Sequence, residues 1–160
     1  MVLIHLQEER ITMKRSLALA AVLALVLSSA AFAGVQDFGK FTVDVAEGWT
    51  ASSQQGTAVI TKNDNTAQLT ISMEDAGGMT KAQLAEAFVA EFKKSGTYTT
   101  VSNPEADKDG DYSWDMTTKA GAESHAMLTV EEGHFVLLVM TNVQNAPSDF
   151  TKMLDTIKEK

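Results

Sequence analysis

Glu105 and the run Asp107-Lys-Asp109-Gly-Asp111 form the densest acidic cluster of this chain. Alternating carboxylates can wrap a hard cation such as calcium, which takes six to eight oxygen ligands. The spacing departs from an EF-hand loop, however: Gly110 comes at the fourth position rather than the sixth, and Thr118 stands where the bidentate glutamate belongs. A solvated turn accounts for the segment better, with Asp109-Gly110 as the tight bend ahead of a strand starting near Tyr112. No metal ligand is assigned from it.

His125 and His134 are the only histidines after residue 33. Metal binding or general-base catalysis would require them to converge with carboxylates. A hairpin turning at Glu132-Gly133 would set His125 opposite Leu138 or Val139 and leave His134 at the turn. That separation argues against a shared site, and both are expected as exposed strand or turn residues. Ser124 and His125 are neighbours on one strand, so they point to opposite faces. No serine sits in a Gly-x-Ser-x-Gly elbow. Gly77-Gly78 lacks the further glycine and lysine of a phosphate-binding loop and reads as a turn into Thr80. With no cysteine in the chain, thiolate nucleophiles, thiolate metal sites and disulfides are excluded. No catalytic residue and no cofactor is assigned. An unrecognised hydrolase ranks last among the readings, for want of a nucleophile–base pair.

Beyond the leader the methionines are Met73, Met79, Met116, Met127, Met140 and Met153. Four fall on apolar faces and read as flexible core filler, while Met127 lies opposite Leu128 and Met79 sits beside a helix cap. A methionine-lined groove for a partner or for Cu(I) was weighed against this, and core packing is the better account. Trp49 and Trp114 are expected to be core anchors, although either could line a pocket.

The elements that would position these residues follow from periodicity. Phe41–Val45 alternates apolar and polar residues and reads as a half-buried strand, and Ala46-Glu47-Gly48 turns the chain into Trp49. Thr57–Thr61 and Gln68–Met73 read as a strand pair joined across Asn63-Asp64-Asn65. Thr80–Lys94 is expected as a helix, with Leu84, Ala85, Phe88, Val89 and Phe92 on one stripe. Thr80 and Gln83 form a capping box, and Gly96 lies near the stop. Strands return around Tyr112, Trp114 and Met116, and again around Ala126, Leu128 and Val130. Phe135–Met140 is apolar at every position, as in a central strand covered on both faces. Ser148–Lys158 is expected as a closing helix capped by Ser148, with Phe150, Met153, Leu154 and Ile157 facing inward. Strands, helix, strands, helix in that order predict an α+β fold, an antiparallel sheet with helices on both faces.

The segment Phe41-Thr-Val-Asp-Val-Ala-Glu-Gly-Trp49 resembles the "strand, Pro-x-Gly-Trp" opening of PsbP-like and DcrB-like domains, with Ala46 where proline is usual. The Gly110-Asp-Tyr112 segment, the Gly133-His-Phe-Val-Leu-Leu138 strand and the two helices fall in that family's order. The resemblance covers Phe41 to Lys160. It implies an α-β-α sandwich that serves as a binding or assembly module, and it carries no catalytic residue onto this chain.

Met13 to Ala33 reads as a cleavable export signal. Lys14 and Arg15 precede the apolar run Leu17–Leu27, and Ala31-Phe32-Ala33 is a small-x-small cleavage site. The run is short for a membrane span, which needs roughly 20 apolar residues. With no cysteine after it, a lipoprotein anchor is excluded. Glu8 and Glu9 do not suit a positive signal start, so residues 1–12 are read as a start-site artefact, 13–33 as the signal peptide and 34–160 as one domain. Removing Arg10, Lys14 and Arg15 from the 13 basic residues, and Glu8 and Glu9 from the 21 acidic ones, leaves a net charge of −9 and no arginine. Such a surface repels nucleic acid and anionic membranes.

The expected role is a periplasmic or secreted, non-enzymatic module contacting another envelope protein. The alternative is small-ligand or calcium binding in the same compartment. Amino-terminal sequencing of the unprocessed precursor is expected to begin at Met13, and that of the exported protein near Gly34.

Overall fold

The computed structural model describes residues 33–54 and 56–160. The signal-peptide and start-site readings therefore fall almost wholly outside the described residues. Among those described, no helix is long and apolar enough to cross a membrane.

The strands are β1 (Gly34–Asp37), β2 (Phe41–Val45), β3 (Trp49–Gln54), β4 (Thr57–Lys62) and β5 (Gln68–Asp75). Helix α1 (Lys81–Ser95) comes next, followed by β6 (Tyr98–Val101), β7 (Glu105–Ala106), β8 (Tyr112–Thr118), β9 (Glu123–Glu131) and β10 (His134–Thr141). A 3-10 turn (Val143–Asn145) leads into α2 (Pro147–Leu154), and β11 (Lys158–Glu159) ends the chain. The long sheet runs β3-β4-β5-β10-β9-β8-β6, with β7 also paired to β8, and a small sheet runs β1-β2-β11. Every pairing is antiparallel.

The all-apolar segment is β10, and it lies in the middle of the long sheet, as its composition predicts. Its residues alternate between two buried clusters. Phe135, Leu137 and Val139 pack with Trp114, Met116, Ala126, Leu128 and the α1 residues Leu84, Phe88 and Phe92. Val136, Leu138 and Met140 join Leu69, Ile71 and Met73, together with Phe41, Val43 and Val45 of β2 and Phe150 and Met153 of α2.

Helix α1 forms as its sequence predicts. Thr80 accepts a hydrogen bond from the Gln83 amide while the Gln83 side chain accepts from the Thr80 amide, satisfying two of the free donors at the helix start. Gly96 ends the helix in the left-handed conformation (φ 70°), which a residue without Cβ adopts at little cost.

The closing helix differs from expectation in three respects. It spans Pro147–Leu154 rather than Ser148–Lys158, and its cap position is Ala146, with no side-chain capping bond. Pro147 instead supplies a preset φ at the start. Thr156 Oγ1 donates to the Met153 carbonyl and accepts from the Asp44 amide, diverting the chain so that Lys158 and Glu159 pair with β2. The short strands β1, β3, β6, β7 and β11 were not expected. Trp49 and Ala51 of β3 are buried, and the polar residues around them hide the alternation.

The β9–β10 hairpin turns at Glu132-Gly133, both with positive φ (48° and 83°). A non-glycine residue at such a position is strained, and asparagine tolerates it better than glutamate. Glu132→Asn is expected to raise stability by about 0.5–1 kcal/mol, read as a higher urea midpoint at unchanged slope.

Candidate functional site

The acidic segment is a closed loop between β7 and β8. Asp107 Oδ1 accepts hydrogen bonds from the amides of Asp109 and Asp111, at 2.8 and 3.0 Å. The Asp107 amide in turn donates to the Asp111 carbonyl, and Gly110 takes a φ of 79°. The Asp107 side chain thus holds its own turn, which is the bend expected at Asp109-Gly110. Asp111 pairs with Lys81 at 2.6 Å, tying the loop to the first turn of α1. This hydrogen-bonded ammonium lowers the Asp111 pKa, and the same bond raises that of Lys81. Among the described residues no group of three or more His, Asp or Glu side chains is placed to hold a metal ion.

The histidines lie apart in the sheet, as expected, but the register differs from the one anticipated. The turn closes on the pair Glu131–His134, so His125 stands opposite Met140 rather than Leu138 or Val139. His125 also has a partner that the sequence reading missed. On its other flank it faces Asp115 of β8, and Nδ1 lies 2.7 Å from the Asp115 carboxylate. Alternation along β8 hints at an outward Asp115, but the pairing needs the β8–β9 register, which no local signal fixes. Ser124 points the other way, is buried, and shares a 2.9 Å hydrogen bond with Thr141, so it is no nucleophile for His125.

The methionines divide as expected. Met73, Met116, Met140 and Met153 are buried, and Met127 is 41% exposed. Both tryptophans are core residues. Trp49 Nε1 donates to Asp149 at 3.0 Å, whereas the buried Trp114 Nε1 has no acceptor among the described residues.

Cavities flank the sheet among the described residues. One, of about 370 Å³, is bounded by Asp115, Thr117, Glu123, His125, Met140 and Gln144. Another, of about 440 Å³, lies between α1 and the strand-linking loop, bounded by Glu86, Val89, Lys93, Asn103, Pro104 and Tyr112.

No protein-family profile matches the sequence, and no curated protein matches it either. The solution structure of cyanobacterial PsbP (CyanoP) from Synechocystis superimposes with a TM-score of 0.50 at 12% identity. The match covers 86% of this chain and 99% of that one. The fold is PsbP-like. A crystal structure from Bacteroides thetaiotaomicron matches at a TM-score of 0.42 and 11% identity, over 78% of this chain and 47% of that one. The PsbP-like likeness agrees with the resemblance read from the Phe41–Trp49 segment. At this identity it concerns the fold alone.

The Lys81–Asp111 pair gives a pH dependence with a definite sign. A carboxylate whose folded pKa is lowered adds stability that is complete above its ordinary value of 3.8 and is lost as pH falls through the lower folded value. Asp111→Asn is therefore expected to melt below wild type at neutral pH. The two melting curves should converge as the pH drops below 3.8, as followed by thermal unfolding across the acid range.

Proposed function

We propose that the protein is an exported, non-enzymatic binding or assembly module that contacts another protein of the cell envelope. The observation that carries this reading is the PsbP-like fold, matched over nearly the full length of the cyanobacterial protein. The family resemblance implies that such a domain recruits or docks rather than catalyses. In the acidic loop Asp107 is spent on its own turn and Asp111 on Lys81, and Ser124 lies on the far face of the strand from the Asp115–His125 pair.

The export signal at Met13–Ala33 places the working chain, Gly34–Lys160, in the periplasm or outside the cell. It forms one domain of the PsbP/DcrB-like type, with α1 and α2 on opposite faces of the long sheet. Alternation along β10 supports that layering, because odd-numbered residues from Phe135 join the α1 cluster and even-numbered ones join the α2 cluster.

A second reading, small-ligand binding, is favoured by the cavity of about 440 Å³ beside α1, whose lining combines apolar Val89 and Pro104 with Glu86, Lys93 and Tyr112.

Mild crosslinking in the native envelope, followed by purification of the tagged chain and mass spectrometry, separates the two readings. One recurrent protein at high occupancy is the expected result. A clean monomer with no enriched partner would overturn the assembly reading and leave ligand binding in its place.

A further inference from the structure

The strands β8, β9 and β10 are clothed unevenly. On one side Trp114, Met116, Ala126, Leu128, Phe135 and Leu137 are buried under α1. The residues between them point to the other side, in rows fixed by the register. Asp115, His125 and Met140 form one row, and Ser113, Met127 and Leu138 the next. Met140 is buried against the β2–α2 layer and Leu138 is half-buried. Beyond them the layer stops, and His125, Met127, Ser113 and Asp115 are left partly or fully open.

The chemistry of this bare half-face is one-sided. Met127 at its centre is one of only two exposed large apolar side chains among the described residues, the other being Val35 on a different sheet. The outward positions of β8, β9 and β10 include Asp115 and Glu123 and no lysine, while Glu131 at the far end shares its surroundings with Lys81 of α1. The cavity of about 370 Å³ adjoins this face, and Met140, Asp115 and Glu123 are among the residues that line it. That volume would admit a single long side chain. Thioether side chains adapt their shape to what they contact.

We infer that this half-face is the docking surface for a basic segment of a partner protein, seated on Met127 with a lysine or arginine directed between Asp115 and Glu123. The proposal rests on the assembly reading above and names its contact face. Charge chooses among the occupants. A second copy of this chain would bring the same carboxylates against their own kind, on a domain whose residues 34–160 already carry −9, and like charges in register repel. A cationic segment instead meets complementary potential around an apolar centre, the arrangement that gives docking its specificity.

The test uses a photocrosslinking amino acid placed at position 127 in the full chain, expressed in its native host. A control carries it at position 61, a half-buried site on β4 in the same sheet. The expected result is an adduct from position 127 and not from 61, joined to a partner peptide rich in lysine or arginine. Its yield should fall about tenfold in the Asp115→Lys, Glu123→Lys background. Milder Asp115→Asn, Glu123→Gln changes should weaken it less, and unfolding curves of all variants check that they fold. An adduct from position 61 alone, or equally from both, overturns this surface while leaving the assembly reading intact. An adduct to another copy of the chain, or to a segment without basic residues, overturns the basic partner. No adduct at either position, together with no partner in the envelope crosslinking, overturns this surface and the reading beneath it.

Discussion

The rest of the structure depends on one strand that cannot be left in water on either side. β10 is apolar from Phe135 to Met140, and burying it requires cover on both faces. The fold meets this by giving alternate residues to different clusters. Phe135 meets Phe88 edge-on, with ring centroids 5.2 Å apart, while Met140 lies in the cluster that holds Phe150 and Met153. Neighbours β5 and β9 pair with β10 along its full length, so they inherit its orientation. Leu69, Ile71 and Met73 must then face one cluster, and Ala126 and Leu128 the other. A one-residue slip of either ladder would exchange buried and exposed sets.

This arrangement leaves cover incomplete by construction. Each cluster is built over part of the long sheet, and neither spans it from β3 to β6. On β4 and β5 the residues facing away from Leu69 and Ile71 are Thr57, Val59, Thr70 and Ser72, a face made largely of hydroxyl groups. Thr57 and Ser72 hydrogen-bond one another there at 3.0 Å. On β8 and β9 the corresponding bare region holds carboxylates, a histidine and a methionine. The first region satisfies its buried hydroxyl groups internally, whereas the second combines an exposed apolar group, a cavity and outward carboxylates. The two regions therefore differ in cover as well as in composition: hydroxyl groups are buried and paired in the first, while Asp115 and Met127 are exposed in the second.

Much of the fold was legible in the residues. The 3.6-residue stripe of α1, its capping box and its glycine stop are local signals, and all three are realised. β10 declared itself by composition, and the Glu132-Gly133 turn by its glycine. What escaped was set at long range. β11 exists because Thr156 and Asp44 meet, and β1 because Val35 and Asp44 stand opposite one another in the register. Neither short segment carries a pattern of its own. The partner of His125 was hidden for the same reason. Asp115 is ten residues away, and only the pairing of β8 with β9 joins the two, just as only the tertiary approach of α1 brings Lys81 to Asp111. The closing helix was overextended because Leu154 and Ile157 fit a helical stripe that the Thr156 hydroxyl interrupts.

The small sheet stitches the first described strand to the last residues of the chain. Lys160 donates its amide to the Lys40 carbonyl and its ammonium to Asp37, and β11 lies on β2. The cluster beneath it draws on Phe38 to Met73 and again on Met140 to Met153, with nothing from the α1 helix between. This cluster therefore closes only when Met140–Met153 comes back onto Phe38–Met73 across α1 and the strands β6 to β9. Bringing the ends of so long a loop together costs chain entropy, and the small sheet acts as the latch that holds them.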